Sequence, residues 1–268
     1  MHKKSFVFCG LTLILGCFGA FIRWLQNSTA FETESKLHVS GSGWSAVLIV
    51  FGLACAVGLF FAIRSFKGLE AAGEYPRAFH GGPFICTVAA IVSALFIGIG
   101  AVVTIAQTVS ADKRDILQLL EGVFALVAAI CVFVTLRGIN GKKKAPGWSF
   151  ILIVLYLCTR LIVEYKICAP DPTVWHFAVR ILAVCSMLLA FYYIAGFSYD
   201  RVKPLRTAYF SLITVLLSIV TFADSISFAY HIITAGFAIA LLTYAFLLMG
   251  NMAPAAEIED EPEELEAQ

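Results

Sequence analysis

Apolar residues run along the chain in long blocks that short polar stretches separate. A helix needs roughly 20 mostly apolar residues to cross a bilayer, and eight blocks reach about that length. They cover residues 5–25, 44–63, 83–107, 116–136, 147–167, 174–197, 206–223 and 226–249. The last two blocks form one apolar tract, where Asp224 and Ser225 offer the place for a turn. The pattern predicts an all-α fold, a polytopic integral membrane helix bundle of about eight transmembrane helices within residues 1–250.

Proline and tryptophan positions favour the same span boundaries. The prolines lie at span edges or outside the spans, where a missing backbone N–H does not break a helix; they are Pro76, Pro83, Pro146, Pro170, Pro172, Pro204, Pro254 and Pro262. The tryptophans lie near span ends, where an indole ring sits at headgroup level; they are Trp24, Trp44, Trp148 and Trp175. Both residue types therefore mark the same helix ends.

Lysine and arginine favour one orientation, because short cytoplasmic loops carry an excess of both. With the N-terminus inside, the cytoplasmic side carries 12 of these charges and the outer side 5. The cytoplasmic set is Lys3, Lys4, Arg64, Lys67, Arg77, Arg137, Lys142, Lys143, Lys144, Arg201, Lys203 and Arg206, and the outer set is Arg23, Lys36, Lys113, Arg114 and Lys166. The bias predicts a multi-pass protein of the cell membrane with both termini in the cytoplasm.

Composition excludes a water-soluble fold and adds one feature, an acidic tail. Hydrophobic residues make up 60% of the chain and charged residues 14%, against about 25% charged residues in soluble domains. The net charge of +1 hides basic loops and an acidic stretch at 251–268. Such a segment cannot bury enough apolar surface to fold. We expect a disordered cytoplasmic tail, with docking of a basic cytoplasmic protein partner as the alternative.

The N-terminus has a second interpretation. Lys3 and Lys4 followed by an apolar core also fit a cleavable signal peptide. Apolar sequence continues as far as Ile22, which favours an uncleaved first span. The orientation of the other spans is the same under both interpretations.

A few charged or titratable residues fall inside the predicted spans or at their ends. Each needs a reason, because a charge at the centre of a helix costs about 2.5–3.5 kcal/mol on insertion scales. Arg160 and Glu164 are four residues apart, as are His176 and Arg180, so each pair lies on one helix face. The candidate ligand-binding residues, all in the predicted outer half, are Glu121, Arg160, Glu164, His176, Arg180, Asp224 and His231.

Three interpretations of this cluster remain open. The charges can form ion pairs that hold helices together. They can instead line an outward-facing pocket for a small polar or anionic ligand, in which the arginines bind a carboxylate or phosphate. A proton relay through Glu121, Glu164 and the histidines is the third, but the inner half of the spans offers almost no titratable group to continue it.

Two functional hypotheses follow. The first is a small-molecule transporter or permease-like protein that uses the polar cluster; the second is a non-transporting membrane sensor or scaffold subunit whose intramembrane charges are structural. Recognised catalytic motifs are absent, which disfavours an enzyme. Seven of the eight cysteines lie in apolar runs and none has metal-site spacing, so we expect no cofactor and no metal. The lipid bilayer is the expected surrounding, and nucleic acid is not an expected partner.

Overall fold

The computed structural model describes residues 2–31, 39, 42–71, 75–111, 115–139, 146–170 and 173–254. Within these ranges the structure is almost entirely helical, which confirms the predicted all-α class. The helices are α1 (His2–Thr29), α2 (Trp44–Arg64), α3 (Tyr75–Ala78), α4 (Pro83–Ser110), α5 (Ile116–Gly138), α6 (Gly147–Cys168), α7 (Ala178–Gly196), α8 (Pro204–Thr221) and α9 (Phe228–Asn251). Short 3₁₀ turns at Val174–His176 and Phe197–Tyr199 flank α7.

The chain is a multi-pass membrane protein. Seven of the described helices are long and apolar enough to cross a membrane, judged by length and composition. The remaining long helix, α6, has 22 residues and is not among the seven. It carries Arg160, Glu164 and Lys166, and it packs between α5 and α7.

Consecutive long helices run in opposite directions, so the chain enters and leaves the bundle at one end. The Phe8 ring near the start of α1 packs on Phe66, just after α2, with ring centroids 5.5 Å apart. At the end of α9, Asn251 donates to the backbone oxygen of His80, at 2.7 Å, just before α4. We call this the termini-bearing end, and the other, where α1 stops and α9 starts, the opposite end.

Glycine lets α4 and α9 pack at close range. A Cβ atom on Gly100 would lie 2.9 Å from the backbone oxygen of Ala229, and one on Gly236 would lie 2.8 Å from that of Ser93. Real Cβ atoms are essentially never that close to a backbone atom, so both positions require glycine. Helices in lipid associate through such close backbone contacts, because burying apolar side chains gains no hydrophobic free energy there.

The segment between α2 and α4 folds back into the termini-bearing end of the bundle. Tyr75 and Phe79, in and just after α3, have no exposed surface. The Tyr75 hydroxyl donates to the backbone oxygen of Thr135 at 3.0 Å and lies 2.9 Å from the Tyr244 hydroxyl. Burial, followed by the neighbouring Tyr244, raises the pKa of the Tyr75 phenol well above its usual value. This stretch lies between the predicted spans 44–63 and 83–107, and the structure shows that its aromatic side chains are buried in the bundle.

The chain continues past α9 in ordered backbone. Strand β1 (Leu69–Glu70) pairs antiparallel with strand β2 (Ala253–Pro254). These two-residue strands join the start of the predicted acidic tail to the segment after α2. Residues 255–268, which hold all the acidic side chains of that tail, lie outside the described residues.

Candidate functional site

Arg160 on α6 is the centre of the first charged network. Its guanidinium pairs with Glu121 of α5 through Nη1 and Oε1. It also lies 3.6 Å from Glu164, one turn along α6, through Nη2 and Oε2. Its Cζ atom sits 4.2 Å from the ring centroid of Tyr230 on α9, a cation–π geometry. One arginine therefore joins α5, α6 and α9.

Arg180 extends this network to α7. Its Nε lies 2.8 Å from Glu164 Oε1, and its Nη2 lies 3.2 Å from Cys168 Sγ. The Cys168 thiol in turn lies 3.6 Å from Glu164 Oε1. Cys168 lies just beyond the predicted span 147–167, and the structure makes it the buried last residue of α6. Two arginines thus meet two carboxylates, and the network is neutral.

The packing around Arg160 leaves almost no free volume. The cavity beside it measures about 10 Å³ and is otherwise lined by α6, α7 and α9 residues such as Tyr156, Met187 and Phe237. A single water molecule needs about 10–15 Å³ measured in this way. The cavity on this side of Arg160 is therefore too small for a small-molecule ligand.

Arg23 on α1 is the centre of a second network, which the sequence analysis does not anticipate. Its side chain is 1% exposed. It donates to Asp224 Oδ1 at 2.7 Å and to Gln26 Oε1 at 2.7 Å. It also donates to the backbone oxygens of Trp175 at 2.8 Å and His176 at 2.7 Å. The planar, five-donor guanidinium suits such a set of acceptors, which a lysine cannot match.

Neighbouring amide side chains complete the second network. Gln26, held by Arg23, donates from Nε2 to Ser45 Oγ of α2 at 2.8 Å. Asn27 donates to Asp224 Oδ1 and to the backbone oxygen of Ala223, both at 3.1 Å. The other Asp224 oxygen, Oδ2, is buried without a hydrogen-bond partner among the described residues. The network connects α1 to α2, to the turn before α7 and to the α8–α9 connection.

Arg23 is counted among the outer-side charges in the predicted topology, but the structure buries its side chain inside the bundle. The predicted first span, 5–25, already contains Arg23, and helix α1 continues four residues beyond that span, to Thr29. The sequence carries one signal of this burial: Arg23, Gln26 and Asn27 have i, i+3 and i+4 spacing, which puts them on one helix face. Buried in the bundle, Arg23 is the cation that pairs with Asp224.

The predicted pairing of His176 with Arg180 on one helix face is wrong. His176 ends the 3₁₀ turn Val174–His176, and α7 begins only at Ala178. The His176 ring packs edge-on against Phe31, with centroids 4.0 Å apart. The turn instead presents its backbone oxygens to Arg23. Arg180 consequently lies in the first turn of α7.

The seven candidate residues therefore do not form one site. Glu121, Arg160, Glu164 and Arg180 meet in the first network, and Asp224 belongs to the second. His231 on α9 packs its ring on Phe222, with centroids 5.7 Å apart. The structure places both networks at the opposite end of the bundle. Among the described residues, no group of three or more His, Cys, Asp or Glu side chains is arranged to hold a metal ion.

A solvent-facing pair marks the edge of this end. Lys166 Nζ lies 2.8 Å from Asp115 Oδ2, with the lysine side chain 53% exposed. Asp115 also caps α5 by accepting from the Leu117 N–H at 3.1 Å. The hydrogen bond from Lys166 lowers the pKa of the Asp115 carboxyl. This exposed ion pair can be compared with the ion pairs of the two buried networks.

No protein-family model, curated protein or solved structure matches the chain.

Proposed function

We propose that this protein is a non-transporting membrane module, a sensor or scaffold subunit, in which the intramembrane charges hold the helices together. The observation that carries the proposal is the packed state of the Arg160 network. Its four charged side chains are paired with one another, and the adjoining cavity of about 10 Å³ is too small for a small-molecule ligand.

The charge balance of both networks supports the same function. A substrate site for an anion needs a cation whose hydrogen-bonding capacity is not already used. Arg23 makes four hydrogen bonds within the protein, and Arg160 faces two carboxylates and an aromatic ring. Each arginine is thus occupied by the protein itself. This disfavours the transporter hypothesis, which requires the arginines to bind substrate.

The acidic tail supplies the contact of this module with other proteins. Seven acidic residues lie between positions 257 and 266, outside the described residues. A dense run of like charges is typical of an interaction tail. We propose that it binds a basic cytoplasmic partner.

A stability comparison tests the structural role of the Arg160 network. We expect Arg160→Ala to lower the free energy of unfolding in detergent by about 3 kcal/mol, because the change leaves buried Glu121 without its cation. Lys166→Ala, which removes an exposed partner from the Asp115 pair, should change it by less than about 1 kcal/mol. Chemical unfolding of the purified proteins measures both.

The same two variants and the wild type are then melted with a library of small metabolites. The proposal predicts no ligand that stabilises the wild type but not Arg160→Ala. A metabolite that raises the melting temperature of the wild type alone, together with an Arg160→Ala variant as stable as the wild type, supports a ligand site and contradicts the proposal.

The orientation of the module is a separate prediction. We propose that both termini and the loop after α5 are cytoplasmic, because Arg137 and Lys142 to Lys144 concentrate positive charge there. A cysteine placed at Ala145 in a cysteine-depleted chain should resist an impermeant thiol reagent in intact cells and react once the cells are opened. Labelling in intact cells would reverse the orientation.

A further inference from the structure

A long apolar groove follows α8 on the side where α2 and α7 stand apart. Toward the opposite end it has a volume of about 440 Å³, with Leu48 and Ala56 of α2 facing Leu182 of α7. Toward the termini-bearing end it continues as a space of about 550 Å³ that contains Phe60. Tyr209 and Phe210 of α8 line both parts, so the two spaces form one groove.

The groove ends at a cluster of cations. Arg64, Lys67 and Arg206 line its termini-bearing part, and all three are exposed. Among the described residues none of the three has an ion-pair partner, in contrast to the arginines of the two buried networks. No side chain caps the start of α8 either. The first backbone N–H groups of a helix favour an anion when no cap satisfies them.

We propose that this groove binds an anionic phospholipid, with the phosphate held by Arg64, Lys67 and Arg206 and an acyl chain lying along α8. The groove reaches the second network at its far end, where Arg23, Ser45 and Trp175 also line it, but the three cations that hold the phosphate belong to neither network. The placement of these cations on the cytoplasmic side rests on the orientation proposed above. The basis of the lipid proposal is the combination of an apolar channel with three unpaired cations at one end, which matches the two chemically distinct parts of a lipid.

The length of the groove fits an acyl chain. Arg206 and Val220 line its two ends, and a helix rises 1.5 Å per residue, so it spans about 21 Å along α8. The hydrocarbon region of one leaflet is about 15 Å deep, half of the roughly 30 Å core. A chain that starts from a headgroup at Arg206 therefore has apolar walls throughout its leaflet.

Charge distinguishes a lipid from a second copy of this chain. Two copies facing groove to groove about an axis normal to the membrane would place both sets of cations at the same depth, where they repel. An anionic headgroup neutralises them instead. The predicted orientation also places these cations on the cytoplasmic side, where anionic lipids are enriched.

Native mass spectrometry of the full-length chain in detergent tests the proposal, with added dioleoyl phosphatidylglycerol and dioleoyl phosphatidylcholine as probes. We expect the wild type to bind the anionic lipid in preference to the zwitterionic one. The double variant R64Q/R206Q should bind phosphatidylglycerol about tenfold more weakly, because each cation near a phosphate contributes to lipid affinity. Its matched control, K4Q/R137Q, removes two exposed charges at the same end but away from the groove.

A second pair of variants tests the acyl channel. Ala56→Phe fills the groove beside Tyr209, which lines both of its parts. Gly58→Phe adds the same side chain to the same helix at a position that does not line the groove. A Cβ atom at Gly58 would meet nothing within 4 Å. Ala56→Phe should reduce phosphatidylglycerol binding severalfold and Gly58→Phe should leave it unchanged, with melting curves confirming that both variants fold.

Weaker binding in R64Q/R206Q and Ala56→Phe, with both controls unaffected, supports the proposal. Equal binding by all variants overturns it. Loss in R64Q/R206Q alone shows a surface charge effect without a bound acyl chain and also overturns it. A wild-type dimer that Ala56→Phe dissociates, with no change in lipid binding, assigns the groove to a second copy of the chain.

Discussion

Arg23→Ala should destabilise the protein more than removal of any other charged side chain in the described structure. The substitution leaves Asp224 charged and buried, and it removes the donor from the backbone oxygens of Trp175 and His176. Breaking a buried pair by removing one partner typically costs about 3–5 kcal/mol. We expect the upper part of that range for the free energy of unfolding in detergent, because the Arg23 side chain is 1% exposed.

Two comparisons separate the buried pair from a general effect of charge. Lys4→Ala, at an exposed position on the same helix, should unfold like the wild type. The double variant Arg23→Ala/Asp224→Ala should be more stable than Arg23→Ala alone, because it no longer leaves a carboxylate unpaired. If Arg23→Ala unfolds at the same denaturant concentration as Lys4→Ala, the second network does not stabilise the bundle.

Phe79→Ala should have an effect of similar size at the termini-bearing end. The Phe79 ring has no exposed surface and meets Phe197 and Tyr244 with ring centroids 4.9 and 5.2 Å apart. Truncating a buried phenylalanine costs about 3–5 kcal/mol, through lost contacts and the cavity left behind. We expect that loss in the free energy of unfolding, measured by denaturant titration in detergent.

The matched control is Phe84→Ala, five residues further along the chain. Phe84 is 78% exposed, so its truncation should change the free energy of unfolding by less than about 0.5 kcal/mol. Equal losses for the two variants would mean that the segment around α3 is not an integral part of the bundle.

Sequence reasoning succeeds for the helix bundle because the bilayer imposes a strict length on apolar segments. The run from Leu205 to Gly250 is too long for one crossing, and the structure turns between Thr221 and Phe228. The segment around α3 escapes the same reasoning. Its helix has four residues and includes Pro76. Four residues are too few to show the helical period of hydrophobic positions. Its aromatic residues find their partners far along the chain, on α5, α6, α9 and the turn after α7.

The charged residues show the limit of reasoning from spacing alone. Arg160 and Glu164 lie within one helix, and the structure brings them within 3.6 Å of each other. His176 and Arg180 have the same spacing, but a 3₁₀ turn ends before α7 begins, so the shared helix face does not exist. Three of the four hydrogen-bond partners of Arg23 lie 152, 153 and 201 positions away, and no local pattern can specify such contacts. Whether any of these residues binds a ligand remains a prediction for experiment.

Because Arg23 and Asp224 are far apart in the sequence, the ribosome makes the first helix long before it makes the ion-pair partner of that helix. The two residues are 201 positions apart, and synthesis proceeds at about 5–20 residues per second. The first helix therefore waits about 10–40 s in the membrane before the carboxylate that neutralises its arginine has been made. Through that interval the Arg23 side chain has to reach toward the membrane surface for water. A chain truncated before Asp224 should thus present an incompletely folded helix to the quality-control machinery of the membrane.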